Sequence, residues 1–325
     1  MDLTGKAVVV TGAAGFIGSH LVDALALEPV RSVTAVDNLS LGRKSNLTKA
    51  LRSSKVAFVE LDVSDRHATL MLFRDIRPDV VFNLAVVPLP ASLVRPAESF
   101  AETTMCCLSL CEAWRAGLLG RLVHFSSSEV YGSCVRAPMA EDHPLEGTTP
   151  YAASKVASDL LVASYGRTFG MSYLIVRPFN NYGPRQNMAE FAGIVPTATL
   201  RILRGEPVII FGDGSQTRDY IYVSDTVAGA IRLTKADEAW GRIVNLGSEH
   251  ELSMRDVVKA IGTAVGREPI IEFREPRAGD VRRHVADVSL ARELIKFEPS
   301  ISFADGIRAT VDWYENFMIA ELIPH

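Results

Sequence analysis

The chain has 325 residues, a formal net charge of −4, and 48% hydrophobic and 22% charged residues. Such values are typical of a soluble globular enzyme large enough for two domains, and they give no sign of a nucleic-acid partner. No stretch reaches the roughly 20 apolar residues of a membrane span, and no signal peptide precedes the first apolar segment. We therefore expect a cytoplasmic protein without a membrane or nucleic-acid partner.

The four cysteines show no metal-binding pattern. Cys106, Cys107 and Cys111 crowd one predicted helix and Cys134 stands apart, without a CxxC pair or a histidine at zinc spacing. We expect reduced thiols with structural roles and no bound metal, which agrees with a cytoplasmic location.

Apolar and helical segments alternate from the start of the chain. Strands are predicted at 6–12, 32–38, 56–63, 79–85, 121–128 and 173–180, with helices between them, among them 18–27, 64–76, 98–116 and 149–166. Near-continuous apolar strands separated by helices indicate a parallel sheet covered on both faces. The pattern predicts an α/β protein with a Rossmann-type doubly wound sheet.

The rhythm changes after residue 180. Glycine- and proline-containing loops are predicted at 180–186 and 211–220, followed by helices at 253–265 and 302–317 and a strand at 270–273. These elements predict a smaller C-terminal α/β domain. We expect an NAD-binding domain at 1–178 and a substrate-binding domain at 179–325, with segments near 216–248 packed back on the first.

The first predicted strand–helix turn contains Gly12, Gly15 and Gly18. Glycines let the backbone turn sharply and approach a pyrophosphate, which then contacts N–H groups at the start of the helix. The spacing is GxxGxxG rather than the standard GxGxxG. Asp37 ends the second strand, where a carboxylate suits ribose hydroxyls and repels a ribose phosphate, so NAD is predicted. Asp62, after the third strand, either faces the adenine or caps the next helix.

Tyr151 and Lys155 lie one turn apart in the predicted helix 149–166, so both side chains project from one face. A phenol has a pKa of about 10, and an ammonium beside it would lower that pKa toward the working range. Ser127, after the fifth strand, is placed to hydrogen-bond the same substrate hydroxyl. The set predicts removal of an alcohol proton while hydride leaves the carbon.

With these motifs the chain resembles the extended short-chain dehydrogenase/reductase family, specifically its NAD-dependent nucleotide-sugar epimerase/dehydratase branch. TGAAGFIG at 11–18 resembles the cofactor loop, FNLA at 82–85 the fourth-strand motif and YAASK at 151–155 the catalytic YxxxK. The resemblance implies that Tyr151 is the acid/base and that Lys155 orients the nicotinamide ribose and adjusts the pKa of Tyr151. It also implies that Ser127 stands at the position of the catalytic Ser or Thr. The NAD contacts it predicts are Gly12, Gly15, Phe16, Ile17, Gly18, Asp37, Asn38, Asp62, Val63, Leu84, Ala85, Tyr151, Lys155 and Pro178.

The second half resembles the nucleotide-sugar segments of the same family. The resemblance places Asn180 on the sugar nucleotide, Phe211 near the nucleobase, Arg218 and Arg277 on phosphate, and Asp280 on the nucleotide ribose. Arginine suits phosphate because its planar fork donates two hydrogen bonds. Similar enzymes form homodimers through the helix of the catalytic tyrosine, so a homodimer is expected.

Glu129 bears on which reaction follows oxidation at sugar C-4. In the family that step gives a 4-keto intermediate with an acidic C-5 proton. An epimerase then needs only rotation of the ketone and return of hydride, whereas a dehydratase needs a base at C-5 and an acid for the C-6 hydroxyl. The run Ser127-Ser128-Glu129 resembles the Ser/Thr-x-Glu arrangement of dehydratases. It predicts a dehydratase of a UDP-hexose or UDP-N-acetylhexosamine type of substrate.

Ser128 stands where some dehydratases have Asp, which favours hydride return to C-4 and a 5,6-ene product. A UDP-sugar 4-epimerase also fits the motifs. So does a UDP-glucuronate decarboxylase, in which Arg185 would act with Glu129. A structural role for Glu129 and an NAD-binding regulatory protein without catalysis are further alternatives, although such proteins usually lose Tyr, Lys or Ser.

Two segments depart from the family pattern. Thr103-Thr104-Met105-Cys106-Cys107 replaces a common Asn and Gly-Thr, and 86–90 is the apolar run VVPLP where polar residues are usual. We expect fewer hydroxyl contacts near the reacting carbons.

Overall fold

The structure is a computed structural model that describes residues 1–188, 193–276 and 281–322. Its strands are β1 (Ala7–Thr11), β2 (Ser32–Asp37), β3 (Val56–Glu60), β4 (Val80–Asn83), β5 (Arg121–Phe125), β6 (Tyr173–Pro178), β7 (Asn180–Tyr182), β8 (Val208–Phe211), β9 (Thr217–Tyr222), β10 (Ile243–Leu246), β11 (Glu251–Ser253) and β12 (Ile271–Arg274). Its helices are α1 (Phe16–Leu27), α2 (Arg66–Ile76), α3 (Leu89–Val94), α4 (Pro96–Arg115), α5 (Pro150–Phe169), α6 (Ile194–Arg204), α7 (Val223–Lys235), α8 (Met254–Val265), α9 (Ser289–Ile295) and α10 (Phe303–Leu322).

Seven parallel strands form the main sheet in the order β10-β6-β5-β4-β1-β2-β3. The order runs outward in both directions from β1 and β4, as in a doubly wound Rossmann-type sheet. The predicted fold class is confirmed. All six strands predicted in the first half are present, and β10 adds a seventh from later in the chain.

Side chains of the central strands alternate between two apolar cores. Val8 and Val10 of β1 belong to the core that also contains Leu21 and Leu25 of α1, whereas Val9 points into the core with α2, α4 and α5. This period of two, with both faces buried, explains why the strands are near-continuously apolar. A third core fills the space between α6, α8, α10 and the small sheets.

The loops predicted at 180–186 and 211–220 are partly wrong. β7 begins at Asn180, and β9 occupies Thr217–Tyr222. Tyr182 pairs in parallel with Tyr222, forty positions later, and β9 pairs antiparallel with β11. A three-residue strand has no readable alternation, and its partner is distant in sequence, so tertiary pairing rather than local pattern defines it.

The segment expected to pack back on the first domain contains β10, which pairs with β6, and α7, which packs against α1. The division at residue 178 remains a proposal. Cys106, Cys107 and Cys111 are buried free thiols in α4, and Cys134 is also free. Among the described residues, no helix combines the length and apolar character needed to cross a membrane.

Candidate active site

Ser127 and Glu129 follow β5 in a tight 3₁₀ turn, Ser128–Tyr131. The Ser127 hydroxyl oxygen accepts a hydrogen bond from the Glu129 N–H at 3.2 Å, which fixes the turn from its first residue. Ser128 is buried, whereas Ser127 and Glu129 are partly exposed. The turn thus leaves Ser127 and Glu129 accessible at the carboxyl edge of the sheet, where ligands bind in open α/β folds.

Helix α5 begins with Pro150 in its first turn and with Thr149 as its N-cap, whose hydroxyl oxygen accepts from the Ala152 N–H at 3.1 Å. The Tyr151 N–H donates to the Ser92 hydroxyl of α3 at 3.2 Å. These contacts fix the start of the helix. Tyr151 therefore lies in its first turn, and Lys155 lies one turn further along the same face.

Tyr151 lies close to Ser127 and Glu129 of the turn after β5. Burial raises the pKa of its phenol to about 12, a hydrogen bond with the Ser127 side chain opposes this, and the carboxylates of Glu129 and Asp159 add to it. The expected lowering by Lys155 is therefore not what the structure shows. The Lys155 ammonium instead donates to the Phe125 carbonyl at 2.7 Å, and burial lowers its pKa to about 8.

All residues predicted to contact NAD line one cavity of about 420 Å³. They are Gly12, Gly15, Phe16, Ile17, Gly18, Asp37, Asn38, Asp62, Val63, Leu84, Ala85, Tyr151, Lys155 and Pro178. Val86, Val87 and Pro88 add an apolar wall, and the Val87 N–H donates to the Thr103 hydroxyl at 3.2 Å. Leu89, predicted within the same apolar run, begins α3.

The glycine loop forms the floor of this cavity. Gly12 has φ +66°, and a Cβ there would lie 2.6 Å from the Leu84 carbonyl. A Cβ on Gly18 would overlap the Gly12 carbonyl oxygen. Glycine is therefore required at position 12 by the close approach of the chain after β4, and at position 18 by the close approach of α1 to the glycine loop. Gly15 caps α1 without a side chain over its first N–H groups. This cradle fits a dinucleotide pyrophosphate.

Asp37 holds the glycine loop against β2. Its carboxylate accepts hydrogen bonds from the Ala14 N–H at 2.9 Å and the Leu39 N–H at 2.8 Å, and burial raises its pKa. Burial also opposes ionisation of Asp62, but hydrogen bonds from Ser64 and Asn38 outweigh it and lower the pKa of Asp62. The alternative that Asp62 caps α2 is wrong.

Asp65 is the N-cap of α2 instead, accepting from the Ala68 N–H at 3.0 Å. Asp62 therefore lines the cavity, where its carboxylate accepts hydrogen bonds from the Asn38 amide and the Ser64 N–H.

Arg43, Trp313 and Phe317 also line the cavity, and the sequence motifs did not predict them there. Arg43 lies on the loop after β2 and stacks over Phe317 of α10, with 5.4 Å between its guanidinium carbon and the ring centroid. Trp313 stacks on Phe317 at 5.2 Å. Two aromatic residues four positions apart in the predicted helix 302–317 were the available signal, because such a pair shares one helix face.

A short segment, 184–186, ties the cavity rim to α1. The Arg185 guanidinium pairs with Asp23 at 2.7 Å, and the Pro184 carbonyl lies 2.9 Å from His20 Nε2. The Gln186 carbonyl accepts from the Tyr314 hydroxyl at 2.8 Å. The rim is thus anchored on both the cofactor helix and α10.

Of the predicted substrate residues, the three that the structure describes lie outside the wall of this cavity. Asn180 begins β7, and its amide donates to the Asp219 carbonyl at 3.3 Å. Phe211 ends β8, and Arg218 is a nearly buried residue of β9 that donates to the Thr217 carbonyl at 3.0 Å. Arg277 and Asp280 fall outside the described residues.

Comparison with known proteins identifies the class. Residues 8–247 match the model of the NAD dependent epimerase/dehydratase family. The chain is 38% identical to the UDP-glucose 4-epimerase of Mycolicibacterium smegmatis over 310 residues, 95% of this chain and 98% of the relative. It is 35% identical to a dTDP-glucose 4,6-dehydratase of Actinoplanes sp. over 316 residues, 94% and 97% of the two chains.

A solved structure of the same kind is the dTDP-glucose 4,6-dehydratase DesIV from Streptomyces venezuelae, with NAD bound. It superposes with a TM-score of 0.89 at 30% identity, covering 95% of this chain and 97% of its own. The chain therefore belongs to the NAD-dependent epimerase/dehydratase family of extended short-chain dehydrogenases/reductases, and NAD is its cofactor. The family and cofactor predictions are confirmed. Relatives of both activities match it over nearly the whole length, which supports an NAD-dependent nucleotide-sugar epimerase or dehydratase.

Proposed function

We propose that the protein is a nucleotide-sugar dehydratase that removes water across C-5 and C-6 of a UDP-hexose or UDP-N-acetylhexosamine. The observation that carries this proposal is the position of Glu129. Its carboxylate is close enough to raise the pKa of Tyr151, and the Ser127 hydroxyl bonds the same phenol. A carboxylate beside the C-4 acid/base lies where a C-5 proton would need a base.

The residues around the cavity suit NAD. The cradle of Gly12 and Gly18 would hold the pyrophosphate, Asp37 and Asp62 would bind the adenosine, and Lys155 would bind the nicotinamide ribose. NAD, when bound, accepts one hydride from the sugar and later returns it, so no external reductant is consumed.

The chain's own residues move the protons. Tyr151 takes the proton of the C-4 hydroxyl, with Ser127 bonding the same oxygen. Glu129 then takes the acidic C-5 proton and passes it to the C-6 hydroxyl, which leaves as water while the 5,6 double bond forms. Tyr151 finally returns its proton to the C-4 oxygen when the hydride is given back. Lys155 is charged below its pKa of about 8, so an ammonium group is available at the cavity wall in that range.

The identity of residue 128 is the reason for proposing a 5,6-ene product. A 6-deoxy product needs an acid that protonates C-5 as hydride reaches C-6, and Ser128 offers a buried hydroxyl there in place of a carboxyl group. The apolar wall of Val86, Val87 and Pro88 supports a pocket with few polar groups near the reacting carbons.

The test is a product screen. The purified protein would be incubated with UDP-glucose, UDP-N-acetylglucosamine, UDP-glucuronate and dTDP-glucose, and the products analysed by mass spectrometry. We expect loss of water from a UDP-hexose or UDP-N-acetylhexosamine. Unchanged mass with altered retention would instead establish a 4-epimerase, and loss of carbon dioxide a decarboxylase. No product and no transient NADH absorbance with any sugar would indicate a regulatory protein.

The variant Glu129→Gln should abolish water loss while C-4 oxidation continues. That oxidation is followed as transient NADH absorbance. Its matched control is Glu146→Gln, the same chemical change at a residue whose side chain is exposed. The Glu146 backbone N–H donates to the Val130 carbonyl, so the control lies beside the same turn. Equal loss of oxidation and elimination in Glu129→Gln would mean that Glu129 is structural.

The second candidate is a UDP-sugar 4-epimerase, favoured by the 38% identity with the mycobacterial epimerase. The decarboxylase alternative has less support, because the Arg185 guanidinium is paired with Asp23 on α1. A homodimer remains proposed from exposed apolar side chains on α4 and α5, namely Phe100, Met105 and Leu160. Light scattering of the purified protein gives its mass directly, and a monomer would contradict the dimer.

A further inference from the structure

Five neighbouring strands of the main sheet each contribute one buried polar side chain to a single layer. Thr11 of β1 pairs in register with Asn83 of β4, which pairs with His124 of β5, while Arg177 of β6 pairs with Asn245 of β10. Each of them is at most 1% exposed. We call these five residues the polar row. An unpaired buried polar group is costly, and in this row His124 Nε2 is a buried atom without a hydrogen-bond partner.

Hydrogen bonds orient the first part of the row. The Thr11 hydroxyl donates to Asn83 Oδ1 at 2.8 Å, so the Asn83 amide nitrogen faces His124 Nδ1, 3.1 Å away. Because the amide donates, His124 Nδ1 accepts, and the network assigns the imidazole proton to Nε2. Burial, followed by the charges of Lys155 and Arg177, lowers the pKa of His124 well below its usual range, so the ring is neutral.

Asp159 of α5 joins the two parts of the row. Its Oδ1 lies 3.6 Å from His124 Nε2. Its Oδ2 accepts from the Ser126 hydroxyl at 2.8 Å and from Arg177 Nε and Nη2 at 3.0 and 2.9 Å. Burial raises the pKa of Asp159, and Arg177 and Ser126 oppose that rise. The carboxylate is thus held from several directions, with Arg177 as its counter-ion.

Arg177 is fixed on its far side as well. Its Nη1 donates to the Tyr131 hydroxyl at 3.1 Å, and that hydroxyl donates to Asn245 Oδ1 at 2.7 Å. The guanidinium also stacks over the Tyr131 ring, 4.9 Å from the centroid. Movement of Asp159 would therefore break its hydrogen bonds to Ser126, at the end of β5, and to Arg177 of β6.

Lys155 lies one turn before Asp159 on the same helix face and is 2% exposed. Its ammonium donates to the carbonyl of Phe125, the neighbour of Ser126, at 2.7 Å. Burial lowers the pKa of Lys155 to about 8, and the charge of Asp159 is the main opposing influence. The other groups that face Lys155 are Tyr151 on α5, Cys106 and Cys107 on α4, His124 on β5 and, beyond Asp159, Arg177 on β6.

Both thiols have raised pKa values and His124 is neutral, so they give Lys155 no negative charge near neutral pH. We propose that Asp159, which lies one helical turn from Lys155 on the same buried helix face and is held by the polar row, is a positioning residue that keeps Lys155 in its ammonium form at the cavity wall. The claim that turnover needs the ammonium form rests on the proposed catalytic role of Lys155. The claim that Asp159 favours the ammonium form does not depend on that role.

The test follows Lys155 directly. Protein labelled with ¹³C-lysine would be titrated by NMR, and the Lys155 resonance assigned by its absence in Lys155→Met. We expect a midpoint near pH 8 in the unaltered protein and a fall of roughly one unit or more in Asp159→Asn, because an opposite charge at close range is lost. The control Tyr131→Phe removes a buried hydroxyl that bonds Arg177 but not Asp159, and it should leave the midpoint within a few tenths of a unit.

Asp159→Asn leaves Arg177 charged without its partner, and Asp159→Asn/Arg177→Met provides a folded alternative if the single variant does not fold. Its midpoint should also fall. An unchanged midpoint in whichever variant folds, or an equal fall in Tyr131→Phe, would overturn the proposal. So would an unaltered Lys155 that is already neutral at pH 6.

The same variants also separate this inference from the proposed function. If Lys155 must be charged, the alkaline limb of kcat/KM should move to lower pH in Asp159→Asn by the same amount as the NMR midpoint. A shifted midpoint with an unshifted limb would support the positioning role and contradict the proposed role of Lys155 in catalysis.

Discussion

On the main-sheet side of the candidate active site, the residues predicted for NAD come from the ends of β1, β2, β4 and β6, from the loops after β1 to β4, and from α1 and α5, and they line one cavity. On the small-sheet side, Asn180, Phe211 and Arg218 come from three strands of two small sheets and lie outside its wall. The main-sheet side follows from one sheet, because parallel strands bring their carboxyl ends to one edge. The small-sheet side depends on pairings between distant segments.

The comparison predicts that changes on the main-sheet side abolish turnover or cofactor binding, whereas changes on the small-sheet side weaken substrate binding. The largest effect should follow Tyr151→Phe, which removes the acid/base hydroxyl. We expect kcat to fall by roughly 10²–10⁴-fold with NAD affinity nearly unchanged, measured by product formation and by NAD titration. Activity within a few-fold of the unaltered protein would assign proton transfer to another group.

Gly18→Ala should act on the cofactor rather than on the chemistry. A Cβ there would overlap the Gly12 carbonyl oxygen, so the glycine loop must shift. We expect NAD affinity to fall roughly 10- to 100-fold by calorimetry, in line with overpacking costs of about 1–3 kcal/mol. Gly117→Ala is the control, because its added Cβ meets nothing within 4 Å and it lies at a positive φ of +67°, whereas Gly18 lies within α1. An equal loss of NAD affinity in both variants would show general destabilisation of the fold instead of an effect on the glycine loop.

Arg218→Lys tests the small-sheet side. Lysine keeps the charge but loses the planar fork that bonds a diphosphate. We expect the KM for the nucleotide sugar to rise about tenfold, with NAD affinity unchanged. Arg308→Lys, on an exposed position of α10, is the control and should leave KM unchanged. A fall in NAD affinity would mean that Arg218 contributes to the main-sheet side.

The smallest effect is expected where the two sides meet, at Asp23. Asp23→Asn weakens the ion pair with Arg185 that anchors the cavity rim on α1. We expect NAD to dissociate a few-fold faster in stopped-flow measurements, since partly exposed pairs contribute about 1 kcal/mol or less. Asp142→Asn makes the same change at an exposed pair with Arg136 and should have no effect. Equal rates in all three proteins would show that the rim does not retain NAD.

Much of the main-sheet side was predictable from sequence. Gly12 and Gly18 indicate a tight turn between the first strand and helix, and the spacing of Tyr151 and Lys155 predicts a shared helix face. Two features were not predictable. The Lys155 ammonium donates to the Phe125 carbonyl, and burial lowers its pKa while Asp159 opposes that change. The pKa of Tyr151 is set by burial, Ser127, Glu129 and Asp159, and spacing alone does not identify these neighbours.

The small-sheet side was less predictable for a different reason. β7 and β9 were expected as loops because strands this short or irregular owe their form to partners far along the chain. The stacking of Arg43 on Phe317 likewise joins residues near opposite ends of the sequence. Helix α10 was predicted from its periodicity, but its place against the cofactor cavity depends on tertiary packing.

The central claim is that Glu129 directs the 4-keto intermediate to elimination. Its most direct measurement is NMR of the product formed from a UDP-sugar carrying deuterium at C-4. The account predicts a 5,6-ene with deuterium retained at C-4 and no such product from Glu129→Gln. A C-4 epimer that keeps its C-6 hydroxyl would contradict the elimination, and a 4-keto-6-deoxy sugar with deuterium at C-6 would contradict the return of hydride to C-4.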